Sequence, residues 1–250
     1  MVVHRTHTPV MYRVAAGILR AGMRALARYE VTGIEHVPTH SGFILTPNHL
    51  SYIDPFPWAH VLYNRGHSPV YLVKSSLFET PVVGWVLRHA KQVRVERETG
   101  RASEALADAV RALDAGECVV IYPEGSLTRD PDLWPMRGKT GAARLALQSG
   151  APVIPVAQWG PQDLLPRYSK RLRLSRHRTL IRVRFGPPVE LGDLPDQQAT
   201  ADVATATDRI MAAITHELEE LRGQRAPVER FDPRAHGLPV TGNYRSGDDQ

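Results

Sequence analysis

The sequence predicts an α/β fold: a single domain whose central mixed or parallel sheet is covered by helices, preceded by an N-terminal amphipathic helical element. Three observations carry this expectation. Short apolar runs of strand length alternate with stretches whose apolar residues recur every three or four positions. Glycines stand where several of those stretches stop. A chain of 250 residues with a hydrophobic fraction of 42% can bury one sizeable core.

Taken in order, residues 11–29 come first ("MYRVAAGILRAGMRALARY"). At about 100° per residue, Arg13, Arg20, Arg24 and Arg28 fall within an arc of roughly 80°, with Met11, Val14, Ile18, Leu19, Met23, Leu26 and Tyr29 opposite. No acidic residue precedes Glu30. Two readings fit: a helix docked on the core with a solvated arginine face, or a helix lying in a membrane interface. We assign 1–30 to this helix, 31–222 to the α/β domain, and 223–250, rich in Pro, Gly, Arg and Asp, to an extended or disordered tail. Within the domain, strands are expected at 42–46, 69–73, 92–95, 118–122, 152–157 and 179–185. Helices are expected at 101–115, 140–149 and 200–222, with Gly116, Gly150 and Gly223 as stops.

Charge and composition narrow the function. A net charge of +5 and a pI near 9.5 favour an anionic partner. Nucleic acid suits the charge, but aromatics make up 7% and no RNA-binding signature appears, so no nucleic-acid partner is expected. The one cysteine, Cys118, sits in the apolar run "CVVIY" and reads as a buried thiol in a reducing compartment. No apolar run approaches the ~20 residues of a membrane-spanning helix, and no secretion signal is visible. The "RGKTG" at 137–141 ends like a phosphate-binding loop, but Leu133 stands where that loop needs glycine and Pro135 interrupts it. There is no Gly-x-Ser-x-Gly nucleophile elbow. The eleven histidines show no metal-ligand spacing with a carboxylate, so no metal is expected.

The remaining chemistry lies in "TPNHLSYIDP", residues 46–55. Pro47 biases Thr46 toward extended geometry, Asn48 and Ser51 are turn residues, and Asp54 before Pro55 looks like a helix N-cap followed by N1. The strand at 42–46 should run out, turn through His49 and enter a helix near Asp54. Such a turn allows an offset of five residues to bring imidazole and carboxylate together. A carboxylate bonded to one ring nitrogen leaves the other free to take a proton. By itself the pair is a weak signal, because a turn histidine beside a capping aspartate is commonplace.

In its wider setting the block is more specific. "NHLSYIDP" resembles the N-H-x-S-x-x-D block of the glycerolipid acyltransferases, the 1-acylglycerol-3-phosphate acyltransferase family. Further blocks follow in the family's order: "YLVKSSLFETPVVGW", "VRVER", "YPEGSLTRD" and "APVIPV", spanning about residues 30 to 190. The resemblance implies transfer of a fatty acyl group from a thioester, on coenzyme A or acyl carrier protein as co-substrate, to a lipid hydroxyl without any other cofactor. It makes His49 the general base and Asp54 the group that orients and supports it. It makes Lys74 and Arg97 contacts for the acceptor phosphate. Glu124, Gly125 and Ser126 match the glutamate-glycine block, where Glu124 bonds backbone or hydroxyl groups and Gly125 permits a tight turn. Lys139 is either a ligand contact or a solvated charge. Leu127 departs from the family's arginine; Arg129 and Arg137 or Lys139 are the available cations, and for a phosphate acceptor Arg129 is the candidate to take part of that role.

Eight Lys or Arg and no acid lie between Arg167 and Arg184, read either as a solvated face or as a surface for anionic lipid head groups. In "TLIRVRF", Arg182 and Arg184 share one face, and Ile181, Val183 and Phe185 the other. The expected protein is peripheral on the cytoplasmic membrane face and acylates a lysophospholipid or glycerol phosphate. The alternatives are another lipid acceptor, of glycolipid or lysophosphatidylinositol type, and a catalytically inert lipid-binding module.

Overall fold

A computed structural model describes residues 17, 21–67, 69–74, 78–80, 84, 85, 88, 92–95, 102–194, 199–240 and 242. Its strands are β1 (Ala27–Thr32), β2 (Phe43–Pro47), β3 (Val70–Lys74), β4 (Val93–Val95), β5 (Cys118–Val120), β6 (Val153–Trp159) and β7 (Thr179–Phe185). Its α-helices are α1 (Pro55–Asn64), α2 (Ala102–Asp114), α3 (Gly141–Ser149), the short α4 (Pro161–Leu164) and α5 (Thr200–Arg222). The strands form one sheet in the order β1-β7-β6-β2-β5-β3-β4. Every neighbouring pair is parallel except β6 with β7.

Strand alternation builds two cores from this sheet. On one face Phe43, Leu45, Val120, Ile154, Val156, Ile181 and Val183 pack with Trp58 and Leu62 of α1. On the other, Ile44, Val119 and Val153 pack with Leu113 of α2, Leu145 of α3, and Ile210 and Ile214 of α5. β2 is buried throughout, as a strand covered on both faces must be. α5 ends at Gly223 in the left-handed conformation (φ 63°), closing its last turn as expected.

The topology gathers chemistry at one edge. β2 and β5 are parallel neighbours, with Leu45 opposite Val120, so the loops after them leave the sheet side by side. These loops carry His49 and Glu124. β3 and β4 run the same way, which puts Lys74, the last residue of β3, on that edge too. The crevice beyond the carboxyl ends of parallel strands is the usual ligand site of an open α/β sheet.

Four expectations are corrected. The N-terminal helix does not reach residue 30: residues 21–26 are helical, and Ala27–Thr32 is strand β1, paired in parallel with β7. Met23 is buried and Leu26 packs beside it on the α1-side core, so this end of the helix is docked. Arg13 and Arg20 lie outside the described residues. Arg182 and Arg184 are not a free cationic face: Arg182 donates to the Leu221 carbonyl (2.8 Å) and Arg184 Nε to Glu217 Oε2 (2.5 Å), both on α5. The tail is not wholly extended. Pro233–His236 form a 3-10 turn, the Phe231 carbonyl accepts from Arg137 N–H (3.0 Å), and Asp232 pairs with the Arg137 guanidinium. Finally, Asp54 holds the position of a cap without capping. Its backbone is helical (φ −50°, ψ −35°) and its side chain makes no cap bond, because its carboxylate turns back toward His49.

Candidate active site

Pro47 has no N–H to extend the ladder between β2 and β6. Asn48 replaces it with its side chain: Oδ1 accepts from Gln158 N–H (2.9 Å), and Nδ2 donates to the Gln158 carbonyl (3.1 Å). The chain is thus still held to the sheet where it turns into His49. The five-residue offset then closes. His49 Nδ1–H donates to Asp54 Oδ2 at 2.9 Å, and the same oxygen accepts the N–H groups of Leu50 (2.5 Å) and Ser51 (2.8 Å). Asp54 is fully buried, whereas the His49 side chain keeps 18% of its surface exposed. Burial pushes the Asp54 carboxyl above its usual range, while the His49 ring and the Ser51 and Leu50 N–H groups pull it back.

The β5 loop fixes the histidine from the other side. The Tyr122 ring stacks on the imidazole, centroids 4.1 Å apart and 28° between planes. Glu124 Oε1 accepts from His49 N–H (3.0 Å), and Thr128 N–H donates to the His49 carbonyl (2.8 Å). Glu124 Oε2 accepts from Met136 N–H (3.1 Å). One buried carboxyl group therefore ties the histidine turn to the far side of its own loop. Ring and backbone of His49 are both held, which leaves Nε2 as the ring nitrogen available for proton transfer.

Burial raises the Glu124 carboxyl to about 8, against the pull of the Met136 and His49 N–H groups. The folded chain keeps this proton at a pH where the unfolded chain has lost it, so folding becomes less favourable as pH rises from about 4.5 toward 8. We expect the melting temperature to fall across that window and the slope to shrink in Glu124→Gln. A glutamine offers one acceptor oxygen to two backbone donors, so this variant should also lose ~1–3 kcal/mol. Melting curves of both proteins across the window test this; identical slopes would remove Glu124 as the titrating group.

Gly125 makes the tight turn. Its φ is 71°, its N–H bonds the Tyr122 carbonyl (3.0 Å), and a Cβ there would meet the Lys139 side chain, 2.8 Å from Nζ. Lys139 is thus laid across the glutamate-glycine turn, and its own N–H bonds the Pro123 carbonyl (2.8 Å). Ser126 Oγ accepts from Arg129 (2.8 Å), whose other arm reaches the Gly242 carbonyl (2.9 Å). Arg129 is only 2% exposed, so it holds the loop and the tail together rather than standing open to an acceptor. Leu127 is buried as well. Lys74 closes β3 at the site edge, with its side chain outside what is described, and Arg97 lies outside the described residues.

Other groups complete the site. The Tyr122 platform and the Asn48–Gln158 pairing depend on contacts between distant segments. Arg167, read from sequence as the first cation of a solvated or lipid-facing run, donates instead to the carbonyls of Thr128 and Asp130 (both 2.7 Å). The sequence does carry one cue, an aromatic directly before the Pro-Glu-Gly turn.

Comparison with known proteins places the chain in a family. Residues 28–159 match the acyltransferase family (Acyltransferase). A chloroplastic 1-acyl-sn-glycerol-3-phosphate acyltransferase of Brassica napus is 27% identical over 143 residues, 56% of this chain and 40% of that protein. The 1-acyl-sn-glycerol-3-phosphate acyltransferase of Borreliella burgdorferi is 32% identical over 134 residues, 53% of this chain and 52% of that protein. The chain thus spans roughly half the length of these relatives or less. The crystal structure of the Thermotoga maritima 1-acyl-sn-glycerophosphate acyltransferase, PlsC, superposes with a TM-score of 0.60 at 21% identity, covering 86% of this chain and 81% of that one, a likeness of fold. Because the family match takes in more than half of the 250 residues, and the His49–Asp54 turn and the Glu124 loop both fall inside it, the chain belongs to the acyltransferase family.

Proposed function

We propose that the protein transfers a fatty acyl group from acyl-CoA or acyl-ACP to the hydroxyl of a lysophospholipid or glycerol phosphate acceptor. The observation that carries this reading is the His49–Asp54 hydrogen bond of 2.9 Å, with the carboxylate buried and the ring partly open. His49 Nε2 accepts the acceptor's hydroxyl proton as the oxygen attacks the thioester carbonyl. Asp54 stabilises the imidazolium that forms. As the tetrahedral intermediate collapses, the imidazolium returns the proton to the departing thiolate. No acyl-enzyme is needed.

The developing oxyanion needs donors. The N–H groups of His49, Leu50, Ser51, Gly125 and Thr128 are committed to other acceptors. Ser126 and Leu127 N–H have no such bond among the described residues, so the Ser126–Leu127 backbone is the donor pair we assign to it.

Lys74, Arg97 and Lys139 are the cations assigned to the acceptor phosphate. Arg97→Ala should raise the acceptor KM ten- to a hundredfold, the ~1.5–3 kcal/mol of one charge-assisted contact, while Arg129→Ala acts chiefly by loosening the loop. A second reading is favoured by one feature. Leu127 and Arg129 are both buried, which takes cationic character away from the glutamate-glycine block and suits a phosphate-free acceptor such as a glycolipid. Steady-state kinetics with lysophosphatidate and a monoacylglycerol separate the two. Preference for the monoacylglycerol, or an unchanged KM in Arg97→Ala, would favour the second reading.

No helix among the described residues is long and apolar enough to cross a membrane. A lysophospholipid acceptor and the acylated product reside in a lipid surface, and the protein's net charge of +5 suits an anionic one on the cytoplasmic face.

A further inference from the structure

Between α4 and β7 the chain makes a long excursion. Residues 170–178 read "KRLRLSRHR" and all of them are exposed. Leu172 keeps 47% and Leu174 71% of its surface in solvent. One exposed leucine is ordinary. Two leucines separated by a single arginine, in a segment with no acidic residue, form an apolar point inside a cationic field. Lys170, Arg171, Arg173 and Arg176 form no ion pair with a carboxylate among the described residues. Asp163 feels the charge of Arg173 and is the acidic group that flanks the segment.

The segment is anchored to the active-site loops. Arg173 N–H donates to the Leu164 carbonyl (2.8 Å), and the next carbonyl, that of Leu165, accepts from Ser51 Oγ (2.6 Å) inside the His49–Asp54 turn. Tyr168 donates to the Leu127 carbonyl (3.1 Å). At the other end, Arg178 reaches the Arg24 carbonyl (3.4 Å) in the N-terminal helical segment. Tyr52, beside Ser51 in the same turn, is 48% exposed. Exposed apolar side chains and exposed cations therefore meet two hydrogen bonds away from the histidine turn.

We propose that residues 170–178 are a membrane-docking loop, in which Leu172 and Leu174 enter the acyl region of an anionic bilayer while Lys170, Arg171, Arg173 and Arg176 pair with lipid phosphates. The loop holds the bilayer against the side of the molecule from which the His49 turn is reached. This deepens the membrane-surface part of the proposed function and rests on it, but its test needs no turnover.

The 250-residue chain is sedimented with phosphatidylglycerol vesicles and with phosphatidylcholine vesicles. The wild type should bind the former and bind the latter weakly. Lys170→Gln/Arg171→Gln/Arg173→Gln/Arg176→Gln should weaken partition at least tenfold, since one surface cation contributes roughly fivefold. Leu172→Ser/Leu174→Ser should also weaken it about tenfold. Unchanged melting curves establish that both variants are folded. Cys118 is the single cysteine and is fully buried, so a fluorophore on Leu174→Cys reports one place; its emission should shift to the blue on phosphatidylglycerol vesicles. Undiminished partition in either variant, or a probe that stays in water on bound vesicles, overturns the proposal. Vesicle binding that survives in the cation variant while affinity for an acidic acyl carrier protein falls would assign this surface to the donor instead. Because sedimentation and fluorescence need no product, a failed docking loop and a failed acyltransferase reading give different results.

Discussion

His49→Ala is expected to give a folded protein that turns over ~10²–10⁴-fold more slowly, the contribution of a positioned general base. The structure supports both halves of that statement. The ring contributes little to the core, since its stabilising contacts are one stack on Tyr122 and one bond to Asp54. The backbone bonds that shape the turn, His49 N–H to Glu124 and Thr128 N–H to the His49 carbonyl, survive truncation of the side chain. The loss should appear in kcat, with the acceptor KM little changed, because the proton is taken only as the transition state forms. Melting curves and steady-state kinetics on the same preparation check it.

Asp54→Asn should lose about 10²–10³-fold in kcat for a different reason. The three donors of His49, Leu50 and Ser51 converge on one oxygen, Oδ2. An amide oxygen placed there can accept all three, so the turn and the ring orientation persist. The amide nitrogen then replaces Oδ1, which is buried with no hydrogen-bond partner among the described residues, and the negative charge is gone. An ion pair at about 4 Å and an effective dielectric near 20 is worth ~4 kcal/mol, which sets the upper end of the expected loss. Comparing kcat and melting temperature in the two variants separates the electrostatic part from folding. An Asp54→Asn enzyme with native kcat would show that the imidazolium needs no counter-charge.

The parts of the fold that could be read from sequence were those whose pattern is local. β2, β5 and β7 announce themselves by apolar runs or alternation, and α5 by its period and its closing glycine. β1 was hidden because Arg24 and Arg28 continue the helical spacing of the basic stripe, while "ARYEVT" becomes a strand only by pairing with β7, some 150 residues away. The alternation in β7 correctly put Ile181, Val183 and Phe185 inside. It could not show that Arg182 and Arg184 would meet the last turns of α5, a contact set by how the helix packs. In the site, the His49–Asp54 contact was readable because a turn was signalled on both sides of a fixed offset. That Asp54 makes no cap bond to its helix was not readable, since an Asp before a Pro has the same sequence whether it caps the helix or bonds the preceding turn. Arg129 was read as an acceptor contact because a cation near a lost arginine invites substitution, yet its burial between Ser126 and Gly242 depends on where the tail returns.

The most direct measurement is the product made by the purified protein. It is offered one acyl-CoA with equal amounts of lysophosphatidate and a monoacylglycerol, and the lipids are identified by mass spectrometry, with His49→Ala in parallel. Phosphatidate should be the main product of the wild type, falling with the ~10²–10⁴-fold loss in the variant. Phosphatidate formed equally by His49→Ala, or no acylated lipid from a folded wild type, would contradict acyl transfer driven by the His49–Asp54 pair.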